Sequence, residues 1–179
     1  GANGCGKSTL MKIAAGLIQP DTGEISHEKD TVLAYLPQSG IVHRGKTLKS
    51  EAETAFAGAL EVLQKMDAVA SQMAETKDTA KQNTLAQTYH DLQTKLDASR
   101  WHERSRLIEE TLCGLGFSTA DFERPTQAFS GGWQMRIALA KVLLQNADIV
   151  ILDEPTNYLD RDSLRLVGGL VSWLVGGLV

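Results

Sequence analysis

The sequence is poor in cysteine and has no long apolar run, and both features limit the classes of protein it can belong to. Its two cysteines, Cys5 and Cys113, lack the close spacing of a metal site. Two isolated thiols suit a reducing compartment, so we expect a cytoplasmic location. No signal peptide is recognisable, and no apolar stretch is long enough for a transmembrane helix. We therefore expect neither a disulfide scaffold nor membrane insertion.

Basic residues are not in excess, because 18 lysines and arginines face 22 aspartates and glutamates, for a net charge of −4. A nucleic-acid partner would therefore need a local basic patch. An apolar content of 42% in 179 residues indicates one globular domain with room for an appendage. Four histidines without ligand spacing are expected at the surface: His27, His43, His90 and His102.

Residues 1–9 fit the phosphate-loop pattern G-x-x-x-x-G-K-[ST] at every defined position. Glycines let successive backbone N–H groups turn inward around phosphate oxygens, and a following helix adds the positive end of its dipole. Lys7 would reach the outer phosphates, and the Ser8 hydroxyl would bind Mg²⁺. A glycine-rich turn with a lysine by chance is the alternative for this pattern alone. The predicted nucleotide-binding residues are Asn3, Gly4, Cys5, Gly6, Lys7, Ser8 and Thr9.

The order of predicted elements is that of an α/β chain with a helical excursion. Residues 8–17 have helical apolar spacing, and residues 24–26 and 32–36 are candidate short strands. Residues 149–152 are apolar at every position, which is typical of a parallel strand buried on both faces. Ser130 is a candidate N-cap for the buried helix that follows it.

Residues 50–114 contain no proline and are predicted to be helical. Two narrow apolar stripes flank a polar interval at residues 75–83, which predicts two antiparallel helices joined by a turn. A third helix over residues 98–114 would return the chain to the main body. The stripes consist of Leu60, Leu63, Met66, Ala70 and Met73 in the first helix and of Leu85, Tyr89, Leu92 and Leu96 in the second.

Two carboxylates follow the predicted buried strand. Asp153, at the tip of the strand, can hold Mg²⁺ directly or through water. Glu154 can orient and polarise an attacking water. A solvated strand end is the commoner explanation of such a pair by itself, but a phosphate loop in the same chain favours the metal-and-base interpretation.

A second anion site is predicted at residues 130–132. The Ser130 hydroxyl and the N–H groups of Gly131 and Gly132 lie at the start of a helix, where the helix dipole favours negative charge. A capped helix start without a ligand is the simpler alternative. One chain thus carries two candidate phosphate-binding helix starts.

Together these motifs resemble those of the ATP-binding cassette (ABC) ATPases, in the same order along the chain. The resemblance implies an α/β P-loop NTPase fold: an ABC-type nucleotide-binding domain with a parallel sheet core, a helical subdomain and ATP and Mg²⁺ as cofactors. It rests on residues 1–9 as the Walker A loop, Gln38 as the Q-loop glutamine, residues 130–132 as the signature, Asp153 and Glu154 as Walker B, and Leu159 and Asp160 as the D-loop.

The resemblance also implies a role for each site residue. The metal would be held by Ser8, Gln38 and Asp153, and the catalytic groups would be Lys7, Gln38 and Glu154. In the family, ATP lies between the Walker A loop of one cassette and the signature of the other. The partner cassette's nucleotide would therefore meet Ser130, Gly131 and Gly132.

Within the family, residues 153–160 are similar to the D-E-P-T-N-H-L-D run of the ABC-F subfamily, with Tyr158 in place of the histidine. Trp133 follows the signature glycines, and this is a second resemblance to the ABC-F subfamily, in which tryptophan or another residue often replaces the glutamine of transporter cassettes. ABC-F proteins have two tandem cassettes and act on ribosomes. The resemblance therefore implies a second cassette, the ribosome and ribosomal RNA as partners, with tRNA as a further candidate.

The predicted helical hairpin resembles the arm that is inserted in the first ABC-F cassette, because residues 39–129 exceed an ordinary helical subdomain. A coiled coil without a partner is the alternative, since its charges are mixed. Lys95, Arg100, Arg104 and Arg106 are its candidate contacts to RNA phosphates. The predicted domain organisation is residues 1–49 for the core, 50–114 for the helical subdomain with arm, 115–165 for the signature helix, Walker B and D-loop, and 166–179 for an atypical glycine-rich tail.

Two other functions remain open from the sequence. An ATP-binding subunit of a membrane transporter shares the motifs, although Trp133, residues 153–160 and the long helical insert disfavour it. A nucleotide-binding piece without turnover is the second, because no switch histidine follows Walker B. We expect the chain to be a fragment of the first cassette that is inactive by itself, since no strand precedes its phosphate loop.

Overall fold

The computed structural model describes residues 6–28, 31–37 and 43–153. Several predicted site residues lie outside these ranges, namely Asn3, Gly4, Cys5, Gln38 and Glu154, as do the predicted D-loop and the tail. The helices are α1 (Lys7–Ala14), α2 (Leu48–Glu53), α3 (Ala57–Glu75), α4 (Thr79–Ala98), α5 (Arg104–Gly114) and α6 (Gly131–Leu144), and the strands are β1 (Leu33–Leu36) and β2 (Ile149–Leu152).

The two strands pair in parallel, although more than 100 residues separate them in the sequence. Leu33 lies opposite Ile149, and Leu36 lies opposite Leu152. The hydrogen bond from the Asp153 N–H to the Leu36 carbonyl, 3.0 Å, extends the pairing past the last ladder residue. Parallel pairing brings the carboxyl ends of both strands to one edge, where ligands bind in α/β folds.

Two strand predictions are wrong within the described residues. Residues 24–26 form no strand, and Ile25 is 45% exposed, because a short segment without a paired neighbour cannot hold an extended conformation. β2 is not buried on both faces: Ile149 and Val150 are 46% and 40% exposed. In the described part of the chain, α6 packs on the sheet through β1, which leaves these two side chains uncovered.

Helices α3 and α4 form the predicted hairpin. They have 19 and 20 residues, pack against each other, and are joined by residues 76–78. Asp78 caps α4 by accepting a hydrogen bond from the Ala80 N–H at 2.9 Å. Ala59 and Leu96 are buried at the base of the hairpin and Met66 is buried near the middle of α3, whereas Leu60 is 46% exposed. The apolar stripes therefore pack the two helices against each other, and the identity of the hairpin as an arm stays a prediction.

Helix α6, which begins at the predicted signature, is the centre of the hydrophobic core. As predicted, its body is buried, with Ile137 and Leu139 fully inaccessible, and it packs against α2 and α5. Leu48, Ile108 and Leu112 from those helices are also fully buried. Burial of such side chains stabilises the fold by about 1.5–3 kcal/mol each. This core fixes α6 while its first residues reach the surface.

Candidate nucleotide-binding site

The phosphate loop ends at a helix start, as predicted. Gly6 has φ 79° and ψ 9°, in the left-handed region that favours glycine, and it is the N-cap of α1. Its carbonyl accepts from the Leu10 N–H at 2.9 Å. Lys7 and Ser8 occupy the first turn of α1, and both are partly exposed. This turn offers backbone N–H groups and the positive end of a helix dipole to an anion.

Asp153 follows β2 directly and is almost inaccessible, with an exposure of 3%. Its Oδ2 accepts from the Tyr35 hydroxyl at 3.3 Å. Its Oδ1 is buried and has no hydrogen-bond partner within the described residues. A buried oxygen of this kind is costly unless a cation or a donor meets it. The carboxylate therefore fits a Mg²⁺ ligand, as the sequence predicts.

Sequence reasoning did not identify Tyr35 as a site residue. Burial, the Asp153 charge and the hydrogen bond to that carboxylate all raise the pKa of the Tyr35 hydroxyl. The alternation of side chains along the paired strands places Tyr35 near Asp153. Tyr35 pairs with Ile151, and the side chains of Ile151 and Asp153 lie two residues apart on the same face. The neutral hydroxyl thus donates to one carboxylate oxygen and leaves the other available.

The signature residues lie at an exposed helix start. Ser130 has the extended backbone of an N-cap, and its carbonyl accepts from the Gln134 N–H at 2.9 Å. Its side chain makes no capping hydrogen bond, and Gly131 and Gly132 are exposed. In the described ranges, no hydrogen bond joins these residues to Asp153. The exposed start of α6 thus leaves the first N–H groups of the helix and the Ser130 hydroxyl accessible to an anion.

Trp133 belongs to an aromatic cluster that supports the start of α6. Its ring centroid lies 4.7 Å from that of Phe117 and 6.4 Å from that of Phe129. The Arg136 guanidinium lies 4.6 Å from the Trp133 ring centroid and donates to the Leu115 carbonyl at 3.0 Å. These contacts stabilise the helix start from one side.

One histidine prediction is wrong. His27, His90 and His102 are exposed, but the His43 side chain is only 10% exposed, because it packs under α6 beside Glu51. Its Nδ1 lies 2.9 Å from Glu51 Oε1. Burial lowers the pKa of His43, with the Glu51 charge opposing and the Lys141 charge assisting.

The described part of the chain contains no group of three or more metal-binding side chains, so Asp153 would need ligands from elsewhere. None of its helices is long and apolar enough to cross a bilayer.

Comparison with known proteins identifies the family. The profile of the family described as ABC transporter matches residues 1–157. ABC transporter F family member 5 of Arabidopsis thaliana is 35% identical over 171 residues, which are 94% of this chain and 25% of that protein. The chain spans about a quarter of the length of the curated relatives it matches.

Two solved structures support the fold. A chain in the complex of the archaeal ribosomal stalk protein aP1 with the archaeal ribosome recycling factor aABCE1 matches with a TM-score of 0.55 and 28% identity, over 97% of this chain and 25% of that one. The ATP binding subunit of an ABC transporter matches with a TM-score of 0.63 and 18% identity, over 97% and 60%. The second likeness concerns the fold alone. The chain therefore belongs to the ATP-binding cassette (ABC) family, and its similarity to an F family member confirms the predicted resemblance to the ABC-F subfamily.

Proposed function

We propose that this chain forms part of an ATPase that binds ATP with Mg²⁺ and hydrolyses it to ADP and phosphate. The observation that carries the proposal is the buried, unpartnered Oδ1 of Asp153 at the carboxyl edge of the parallel sheet. A phosphate-loop lysine and serine at the start of α1 supply the second half of such a site. Bound Mg²⁺ would neutralise charge that develops on the phosphate oxygens.

Each residue contributes positioning or charge. The Lys7 ammonium and the first N–H groups of α1 would hold the phosphates, while Ser8, Gln38 and Asp153 would hold the metal. Glu154 orients the attacking water. Most of the rate acceleration in phosphoryl transfer comes from such positioning and charge stabilisation.

The nucleotide of a second cassette would be met by Ser130, Gly131 and Gly132. Their exposure, and the Ser130 hydroxyl that makes no capping bond, support this role. The Walker A loop of this chain would in turn meet the signature of the partner cassette. Each active site is then composite, and turnover needs both cassettes.

We propose further that the whole protein acts on the ribosome in the cytoplasm. Its similarity to an F family member supports this, as does the likeness to a solved complex of a ribosome recycling factor with a ribosomal stalk protein. The α3–α4 hairpin would be the contact to ribosomal RNA or tRNA. A transporter subunit is the second candidate, because the family profile described as ABC transporter matches residues 1–157.

Ribosome co-sedimentation distinguishes these functions. The full-length protein with Glu154→Gln, in ATP and Mg²⁺, is expected to sediment with ribosomes, because the substituted residue no longer activates water and ATP stays bound. The control is Glu123→Gln, the same change at an exposed position before the signature. If neither the Glu154→Gln protein nor the wild type sediments with ribosomes, the translation role is wrong. ATP hydrolysis by the wild type tests the ATPase proposal separately.

A substitution of Tyr35 tests the metal site. Tyr35→Phe removes only the hydroxyl that donates to Asp153, so we expect Mn²⁺ affinity in the presence of ADP to fall by about tenfold. Mn²⁺ titration followed by electron paramagnetic resonance measures this change. Tyr89→Phe, at a partly buried position of α4, should leave Mn²⁺ affinity unchanged. Equal Mn²⁺ affinity in wild type and Tyr35→Phe would show that the hydroxyl does not orient the carboxylate.

A further inference from the structure

A buried polar network attaches the start of α6 to two other segments. Gln134, 5% exposed, is the fourth residue after Ser130. Its Oε1 accepts from the His43 backbone N–H at 2.9 Å, and its Nε2 donates to the Thr126 carbonyl. Thr126 is itself fully buried, and its N–H donates to the Lys46 carbonyl at 3.0 Å. Both ends of one amide thus join α6 to residues 43–46 and to the segment before the signature.

A second set of contacts lies two turns further along the same face of α6. Glu51 Oε1 accepts from Lys141 Nζ at 2.5 Å and contacts His43 Nδ1 at 2.9 Å. His43 is therefore held twice, by its backbone through Gln134 and by its ring through Glu51. With Nδ1 donating to Glu51, the buried Nε2 has no partner among the described residues. The segment at His43 and α6 are thus connected at two points along the helix.

We propose that Gln134 is a positioning residue for the phosphate contacts of Ser130, Gly131 and Gly132. This inference rests on the proposed ATPase function. The Gln134 N–H closes the first turn of α6 on the Ser130 carbonyl, so a fixed Gln134 fixes the turn that carries the signature. The Trp133 aromatic cluster supports this turn through ring contacts, and Gln134 adds directed hydrogen bonds to two other segments. A displacement of about 1 Å at a catalytic contact can lower a rate about 100-fold.

The test compares turnover with nucleotide binding in the full-length protein. Gln134→Met keeps the length of the side chain and removes both hydrogen bonds. We expect kcat for ATP hydrolysis to fall about tenfold or more, while the affinity for fluorescent ADP stays unchanged, because ADP would bind at Lys7 and Ser8. We also expect faster amide hydrogen exchange in peptides that cover residues 43–49 and 130–136. Gln145→Met, at the exposed C-cap of α6, is the matched control and should change none of these quantities.

A second variant covers a failure of Gln134→Met to fold. Gln134→Asn keeps an uncharged amide but shortens the side chain by one methylene, so that it cannot reach both the His43 N–H and the Thr126 carbonyl, and an intermediate fall in kcat is expected. Unchanged kcat and exchange in the folded variant would overturn the inference. So would a parallel fall in kcat and ADP affinity, which indicates a general loss of structure. If the wild type does not hydrolyse ATP, the proposed function is wrong, and hydrogen exchange alone decides whether Gln134 holds the start of α6.

Discussion

Replacing Lys7 by methionine is expected to weaken ATP binding by about 10-fold to 100-fold and to slow hydrolysis more. A hydrogen bond to a charged group is worth about 1.5–3 kcal/mol, and each 1.4 kcal/mol is a factor of ten in affinity. Lys7 is the first residue of α1, immediately after the left-handed Gly6, where its ammonium and the helix dipole would act on the same phosphates. Because charge on the phosphate oxygens develops during transfer, loss of one such contact lowers kcat by about 10²–10³.

The helix provides its own control for this substitution. Lys12 lies in the last turn of α1, so Lys12→Met removes the same charge from the same helix, away from its N-terminus. Fluorescent ATP titration and phosphate release in the full-length protein measure both effects. We expect Lys12→Met to behave as wild type. An equal loss of ATP affinity and hydrolysis rate in the two variants would indicate a general effect of charge on α1 and would contradict a phosphate contact by Lys7.

The features predicted correctly from the sequence are those that short contiguous segments encode. The Gly6-Lys7-Ser8 run predicts a helix start because only glycine adopts its left-handed turn without strain, and the structure has that turn. Ser130 with two glycines likewise predicts the start of α6. The polar interval at residues 75–83 predicts the turn between α3 and α4, since an apolar stripe is needed on both helices for packing and is missing there.

The incorrect and missing predictions concern contacts between distant segments. His43 is predicted at the surface because the local sequence shows no partner for it, yet its ring contacts Glu51 and its backbone N–H donates to Gln134. The apolar residues of β2 predict burial on both faces, but exposure depends on what covers Ile149, which local sequence does not specify. Tyr35 was missed for the same reason, because its role depends on the register of β1 against β2.

The second large effect is expected for Lys141, the partner of the buried Glu51. Lys141→Met keeps the aliphatic packing and leaves the Glu51 carboxylate, 9% exposed, without its cation. Breaking a buried ion pair costs about 3–5 kcal/mol. Because the Lys141 side chain is 24% exposed, we expect a smaller loss in the free energy of unfolding at pH 8, about 2–3 kcal/mol. Urea unfolding measures it, and the exposed Lys65→Met in α3 should change stability by less than about 0.5 kcal/mol.

The pH dependence separates charge from packing in this variant. In the wild type, burial raises the pKa of Glu51, but the hydrogen bond and charge of Lys141, followed by those of His43, outweigh it, and the pKa is lowered overall. The Glu51 carboxylate therefore stabilises the wild type above its unfolded pKa of about 4.3, and this contribution is lost as the pH falls through the folded pKa. Without Lys141, only the charge and hydrogen bond of His43 oppose burial, which is the largest of these effects, so we expect the folded pKa to rise above the unfolded value.

As the pH falls, Glu51 in the folded variant then takes up a proton before Glu51 in the unfolded chain does. This protonation removes the cost of a buried carboxylate without its cation. Protonation of His43, no longer opposed by the Lys141 charge, acts in the same direction. The stability deficit of Lys141→Met should thus be largest at pH 8 and shrink towards pH 5. A deficit of constant size across that interval would assign the loss to packing, and the ion pair would then contribute nothing to holding α6 on α2.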